Sequence, residues 1–349
     1  MAVTYGTASL VWGWLAGKKE YSLEAKFKNL NLTVGYGFMK KQLSTFLVVC
    51  IFLFYAGSAS AEKLTLMLDW FPNIDHLPIY VAQEKGLFKE KGLEVEIISP
   101  SETADGLKLA ASENVDMAVS YEPQTIIAAS AGLDVKVVGR LVEHPLTTLL
   151  FLKNDKIKSP KDLEGKKIGY TVSGLMDVML KAFMSINGVK NYEAINVGFT
   201  IVPALVAGNV DAVMGPFKTY ETVTMAHQNL TADYFELEKW GIPDYEELIF
   251  VCGAKTLSKK EESIKSFIQA VETATAYMRE HPEDALKIYL KVLPEADTRI
   301  ETDAFKLTLP FYATPGGSDA VAWQRFADFS LEHGLIEKPV KAVDLIHNW

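Results

Sequence analysis

Lys63-Leu-Thr-Leu-Met-Leu68 runs straight into Asp69-Trp70-Phe71-Pro72-Asn73, and Pro78 then opens a largely apolar stretch that reaches Glu84. The first six residues read as a short buried strand. The acid, the two aromatics and the proline end it, because proline cannot donate to a strand ladder. Proline is accepted in the first turn of a helix, so residues 78–84 read as helical. A strand that ends in a turn and feeds a helix is the opening unit of an α/β chain.

The same alternation continues outward from there. Strands are predicted over 63–68, 94–99, 117–119, 135–142 and 148–152, with helices over 78–84, 104–112 and 123–131. After Ser159-Pro160 a second unit offers strands over 167–170, 194–197 and 212–214, and helices over 175–186, 201–207 and 220–228. A strong apolar strand follows over 247–254, then helices over 261–280, 282–293, 300–308 and 319–333. This pattern predicts an α/β fold with largely parallel sheets. The helical tail has no sheet of its own and must pack on an earlier lobe.

One internal echo points to two lobes of similar build. Residues 109–119 and 204–214 each hold a helix end, an Asn-Val-Asp turn and a buried strand. Asn114 and Asn209 suit the turns, and Asp116 and Asp211 can accept from nearby backbone N–H groups.

Ligands in open parallel sheets sit beyond the carboxyl ends of the strands. That rule selects Asp69–Asn73, Ser120–Glu122, Thr171–Gly174 and Gly215–Glu221. Trp70 can stack on a flat ring, although a core aromatic beside a turn has the same signature. Asn73 can donate and accept toward ring nitrogens. His76 is either a ligand contact or a capping residue. Asp69, Tyr121, Phe217 and Glu221 complete the candidates at strand ends, where carboxylates suit a ligand that presents N–H donors. Glu122 fits either that role or a solvated first-turn acid favoured by the helix dipole. Ser173 and Gly174 stand at a helix start, where free backbone N–H groups can clamp an oxygen.

Several chemistries lack their residues. There is no Walker A sequence, His-Glu-x-x-His, Cys-x-x-Cys or Gly-x-Ser-x-Gly. Six histidines and two cysteines make a dedicated metal site a poor expectation. Arginine is sparse around the candidate loops, whereas an oxyanion ligand usually wants it.

Met39-Lys40-Lys41, an apolar run from Phe46 to Tyr55 and the small residues Ala56 to Ala61 have the layout of a secretory signal. A membrane-spanning helix needs about 20 apolar residues, and this run is shorter. Export to the periplasm is therefore expected, with 39–61 as signal, Glu62 as the mature start and 1–38 as an upstream extension of unknown role. Residues 1–61 hold six lysines and two glutamates, so the 35 basic side chains fall to 29 from Glu62 onward and the 44 acidic ones to 42. The resulting charge of −13 argues against nucleic acid as a partner. Cys50 leaves with the signal, and Cys252 then reads as a small core residue.

Leu68–Asn73, His76, Pro78, Tyr80, Ala82, Gly86–Phe88, Gly92-Leu93, Lys166–Tyr170 and Val210–Gly215 resemble one family. It unites fungal thiamine-pyrimidine synthases with bacterial periplasmic binding proteins. The likeness covers most of residues 63–290. It implies a type II periplasmic binding fold, two α/β lobes around a cleft, with 62–150 and 250–349 in the first lobe and 151–249 in the second. It implies a thiamine pyrimidine precursor, an aminopyrimidine, as ligand, with Trp70 and Asn73 lining the first lobe and Glu221 facing the aminopyrimidine edge. Taurine- and sulfonate-binding proteins share the wider fold and supply the alternative ligand class.

The synthases of that family use a lysine that carries pyridoxal phosphate and a histidine that is consumed. The matching positions here are Ser120 and Gln124, and the cysteine-rich run of the synthases is missing. The resemblance therefore implies no enzyme and no cofactor. It implies a monomeric carrier that closes on its ligand by bending near 147–153 and 245–251 and delivers it to an ABC permease.

Overall fold

In a computed structural model, which describes residues 61–349, the chain enters its first strand at Glu62. The upstream extension 1–38 and all of the expected export segment except Ala61 lie outside the described residues. Strand β1 is Glu62–Met67. Helices α1 (Leu77–Glu84) and α2 (Leu87–Glu90) follow, then β2 (Leu93–Ile98), α3 (Asp105–Ala111), β3 (Met117–Ser120), α4 (Glu122–Ser130) and β4 (Val135–Val142). The chain then crosses to β5 (Thr147–Leu152) and builds β6 (Lys167–Tyr170), α5 (Met176–Ile186), β7 (Glu193–Asn196), α6 (Ile201–Val206), β8 (Ala212–Phe217), α7 (Glu221–His227) and β9 (Ala232–Glu236). It returns through β10 (Leu248–Gly253) and ends in α8 (Ala254–Glu280), α9 (Pro282–Val292), α10 (Thr298–Thr308), α11 (Ala320–Glu332) and α12 (Ala342–Leu345).

Two five-stranded sheets result, in the orders β2-β1-β3-β10-β4 and β7-β6-β8-β5-β9. They are two copies of one plan. Three parallel strands stand at one side, and one reversed strand is inserted before the last. The sequence predicts largely parallel sheets; the sheets are mixed because the reversed strand in each arrives from the opposite lobe. The lobe limit expected at 150/151 cuts through β5, which pairs along its whole length in the second sheet.

The Asn-Val-Asp echo corresponds to a shared contact. Asp116 Oδ2 accepts from the Thr65 N–H in β1 at 2.8 Å, and Asp211 Oδ2 accepts from the Lys167 N–H in β6 at 2.9 Å. In each lobe the acid that precedes the third strand holds a backbone N–H of the first, in mid-strand at Thr65 and at the strand start at Lys167. The helical tail packs on the first lobe, where Phe267 of α8 stacks on Phe88 (5.1 Å between centroids) and meets Phe250 of β10 edge-on. Cys252 lies buried in β10, and burial pushes its thiol up to about 12.

Both crossings between lobes meet at Glu247. Its carboxylate, fully buried, accepts from the Leu146 and Thr147 N–H groups at 2.5 and 2.7 Å and from the Thr147 hydroxyl at 2.8 Å. The neighbouring Glu246 accepts from the Ser318 hydroxyl and the Trp323 indole N–H. Glu122 is not solvated: it is buried at the start of α4 and accepts from the Glu246 N–H at 2.8 Å. It belongs to the hinge, because the return crossing covers the helix start that would otherwise meet water.

Burial pushes Glu247 up to about 7. An unfolded glutamate titrates near about 4.3. Between those values the folded chain holds a proton that the unfolded chain has lost, so stability falls as pH rises through this window. Each such proton contributes at most about 1.4 kcal/mol per pH unit. Thermal melts of the ligand-free protein from pH 4.5 to 7.5 should show a shallower fall for Glu247→Gln than for the wild type. Parallel profiles would remove Glu247 from the titration.

Candidate ligand-binding site

Asp69 follows β1 directly, and the chain turns at Pro72 into a 3-10 turn at Ile74–His76. Asn73 caps that turn: its side-chain oxygen accepts from the Asp75 N–H at 2.9 Å, and its own N–H points to His76 Nδ1 at 3.4 Å. With Nδ1 as acceptor, the ring proton sits on Nε2, which donates to Asp69 Oδ1 at 2.8 Å. The Tyr121 hydroxyl, at the end of β3, donates to Asp69 Oδ2 at 2.7 Å. Asp69, His76 and Tyr121 thus brace one another, and both Asp69 oxygens are engaged.

The second lobe contributes the end of β8. Gly215 has φ +122°, and a Cβ there would lie 2.1 Å from Thr171 Oγ1, so the position requires glycine. Glu221 opens α7 and folds back, its Oε2 accepting from the Phe217 N–H at 2.7 Å. Tyr220 beside it donates to Glu301 Oε1 at 2.9 Å.

Between these elements lies a cleft with about 390 Å³ of empty space, its mouth included. Asp69, Trp70, Asn73, Asp75, His76 and Tyr121 line the first lobe's side, and Thr171, Ile201, Gly215, Phe217, Tyr220 and Glu221 the second's, with Leu248 near the crossings. No lysine or arginine is among the lining residues. The electrostatics are those of buried acids. Burial pushes Glu221 up to about 7, and raises Glu301 as well. Asp75 is raised well above the usual carboxylate range, first by burial and then by Glu221, Asp69 and Glu301. Such a site favours ligands that bring N–H donors or positive charge, and disfavours anions.

Trp70 also packs across the cleft. It is 8% exposed and packs among apolar residues of the second lobe, including Leu150, Ile201 and Val213. Its ring lies 4.4 Å from that of Phe199. The Thr103 hydroxyl also crosses the cleft to the Thr171 carbonyl at 2.9 Å. The lobes are therefore in contact, with Trp70 inserted from one into the other.

Seven of the nine residues singled out from the sequence line this cleft: Asp69, Trp70, Asn73, His76, Tyr121, Phe217 and Glu221. Ser173 and Gly174 do not. Both are exposed; the Gly174 N–H is taken by Asp177 Oδ1 at 2.7 Å, and Ser173 Oγ accepts from Asn196 at 3.0 Å. The Gly174 N–H expected as a free donor at that helix start is thus already used. Thr171 from the same segment lines the cleft instead. Asp75 and Phe199 were not anticipated, and Tyr220 only as part of the Gly215–Glu221 segment. Asp75 carried a signal, a charge set between Ile74 and His76 and two residues from Leu77. Ser120 and Gln124 lie off the cleft lining and bond to each other, hydroxyl to amide oxygen, at 2.8 Å.

Residues 73–285 match the model of the NMT1/THI5-like family. A protein of Haemophilus influenzae named for thiamine biosynthesis is 40% identical over 86% of this chain and 96% of its own length. The formylaminopyrimidine-binding protein of Halalkalibacterium halodurans is 31% identical over 86% of this chain and 94% of its own. A 4-amino-5-hydroxymethyl-2-methylpyrimidine phosphate synthase of Saccharomyces cerevisiae is 28% identical over 73% of this chain and 78% of its own. Among solved structures, the alkanesulfonate-binding protein of Xanthomonas axonopodis pv. citri superposes with a TM-score of 0.66 at 14% identity, over 82% of this chain and 98% of that one. That last likeness concerns the fold.

Proposed function

This chain belongs to the NMT1/THI5-like family, and from that premise we propose that it is a solute-binding protein for a thiamine pyrimidine precursor. It captures an aminopyrimidine outside the cytoplasmic membrane, closes on it and delivers it to an ABC permease. The observation that carries this reading is the pairing of Glu221 with Trp70 in one cleft that no lysine or arginine lines. An aminopyrimidine offers a flat π face to the aromatic residue and N–H donors to the acid. The 31% identity to a formylaminopyrimidine-binding protein supports the same ligand class. The export segment at 39–61 supports the location.

Two other readings are weaker. A sulfonate carries full negative charge, and this cleft meets it with buried acids and no cationic side chain. A synthase of the fungal type would need a lysine and a histidine where Ser120 and Gln124 are hydrogen-bonded to each other. Neither serine nor glutamine forms a Schiff base with pyridoxal phosphate.

A thermal-shift screen against aminopyrimidines, thiamine, taurine and alkanesulfonates tests the proposal. A ligand at about 100 times its Kd adds about 2.7 kcal/mol of stability. For a protein of this size that is a rise of about 4 °C in Tm. We expect it with aminopyrimidines. A response confined to sulfonates or taurine would replace the ligand class.

A further inference from the structure

Asp75 has no solvent exposure, yet it lines the cleft. Its Oδ1 accepts from the Thr308 hydroxyl of α10 at 3.3 Å, and its Oδ2 has no partner. The charged groups that face it from the neighbouring elements are all acids: Asp69 after β1, Glu221 on α7 and Glu301 on α10. The phenols of Tyr220 and Tyr312 also approach, and both are raised by burial and by these acids. The one imidazole beside it, His76, already commits Nε2 to Asp69 and Nδ1 to the Asn73 N–H. Asp75 is thus a buried acid without a counter-charge, and such a group either keeps its proton or is paired when another charge arrives.

We infer that the ligand supplies that charge: the cleft takes its heterocycle as the ring-protonated cation, and Asp75 is the specificity-determining counter-ion. The transfer balances within the pair. The Asp75 O–H bond breaks, a ring nitrogen's lone pair forms the new N–H bond, and the electrons of the O–H bond stay on the carboxylate. No further reactant is required. Glu221 is less suited to this part, because the backbone N–H groups of Phe217 and of Glu221 itself favour its carboxylate, whereas Asp75 has only the Thr308 hydroxyl. Burial first, and then the carboxyls of Glu221, Asp69 and Glu301, favour the protonated form of Asp75 while the cleft is empty, so the proton that the ring takes up is already at hand. The inference rests on the aminopyrimidine reading and adds the ligand's charge state and the residue that selects it.

The test uses 4-amino-2-methylpyrimidine labelled with ¹⁵N in the ring, and 3-methylaniline as a partner of similar shape without ring nitrogens. Calorimetry gives Kd for both probes, and the ¹⁵N chemical shift gives the protonation state of the bound ring. With the wild type we expect a large upfield displacement of one ring nitrogen on binding at pH 7.5, and binding of the aniline at least about 30-fold weaker. With Asp75→Asn the aminopyrimidine should bind at least about tenfold more weakly and keep its neutral ¹⁵N shift. If Asp75→Asn fails to fold, the wild-type shift decides alone. A bound pyrimidine with a neutral shift overturns the inference and leaves the ligand class standing. Failure of every aminopyrimidine to bind the wild type removes both.

Discussion

Truncating Trp70 to alanine should weaken binding of any ligand by about 100-fold or more, because the ring holds the two lobes together. Removing a buried Phe or Trp costs about 3–5 kcal/mol, and each 1.4 kcal/mol is about tenfold in an equilibrium constant. Trp70 is attached to the first lobe and touches Phe71 there, yet it belongs to an apolar cluster with Phe199, Ile201, Leu150 and Val213 of the second. That burial exists only while the lobes touch. The cost of Trp70→Ala therefore falls on the closed form, and ligand must supply the difference to close it. Small-angle scattering at saturating aminopyrimidine should give a larger radius of gyration for the variant than for the wild type under the same conditions. Calorimetry should show the affinity loss. Equal radii and equal Kd values would mean that Trp70 does not hold the lobes together.

Glu221→Gln should lower aminopyrimidine affinity by roughly 10- to 100-fold, since hydrogen bonds to a charged group are worth about 1.5–3 kcal/mol. The glutamate's Oε2 is fixed by the Phe217 N–H, which leaves Oε1 for the ligand. A glutamine must keep its oxygen on that N–H and then presents an NH₂ group to the ligand's own donors. The fold should tolerate the change, because the replacement removes an acid that burial raises to about 7. A melt of the ligand-free variant separates lost binding from lost folding. An unchanged Kd for a folded Glu221→Gln would take this residue out of the site.

Much of the architecture was legible because the signals were local. The strands at 135–142 and 167–170 have the bounds their apolar runs predict. Strand β9, Ala232–Glu236, escaped because it is a short edge strand whose apolar residues are interrupted by Asp233 and closed by Glu236. The helix read from 261 is borne out: a short helical stretch from Ala254 precedes it, and Lys260, with φ −126° and ψ 28°, separates the two. At the site, residues that follow a strand directly were found by position. Asp75 was not, because its burial depends on α10 and Thr308, 233 residues further along the chain. Glu122 looked like a surface acid for the same reason, since Glu246 covers it from the far crossing. Ser173 and Gly174 failed for a local reason: Asp177, three residues on, competes for the N–H that a ligand would need.

The reversed strands also set an order of assembly. The second sheet draws all of its strands from one uninterrupted segment, Thr147 to Glu236. The first sheet places β10 between β3 and β4, so β4 lacks its neighbour until residue 253 has emerged. Long-range pairing of this kind is slow to nucleate, because loop closure must precede the contacts that reward it. The second lobe is thus free to form early, while the amino-terminal lobe stays open until late in synthesis. The two lobes, alike in plan, therefore differ in when they can be completed: the second closes on its own segment, and the first waits for a strand made after it.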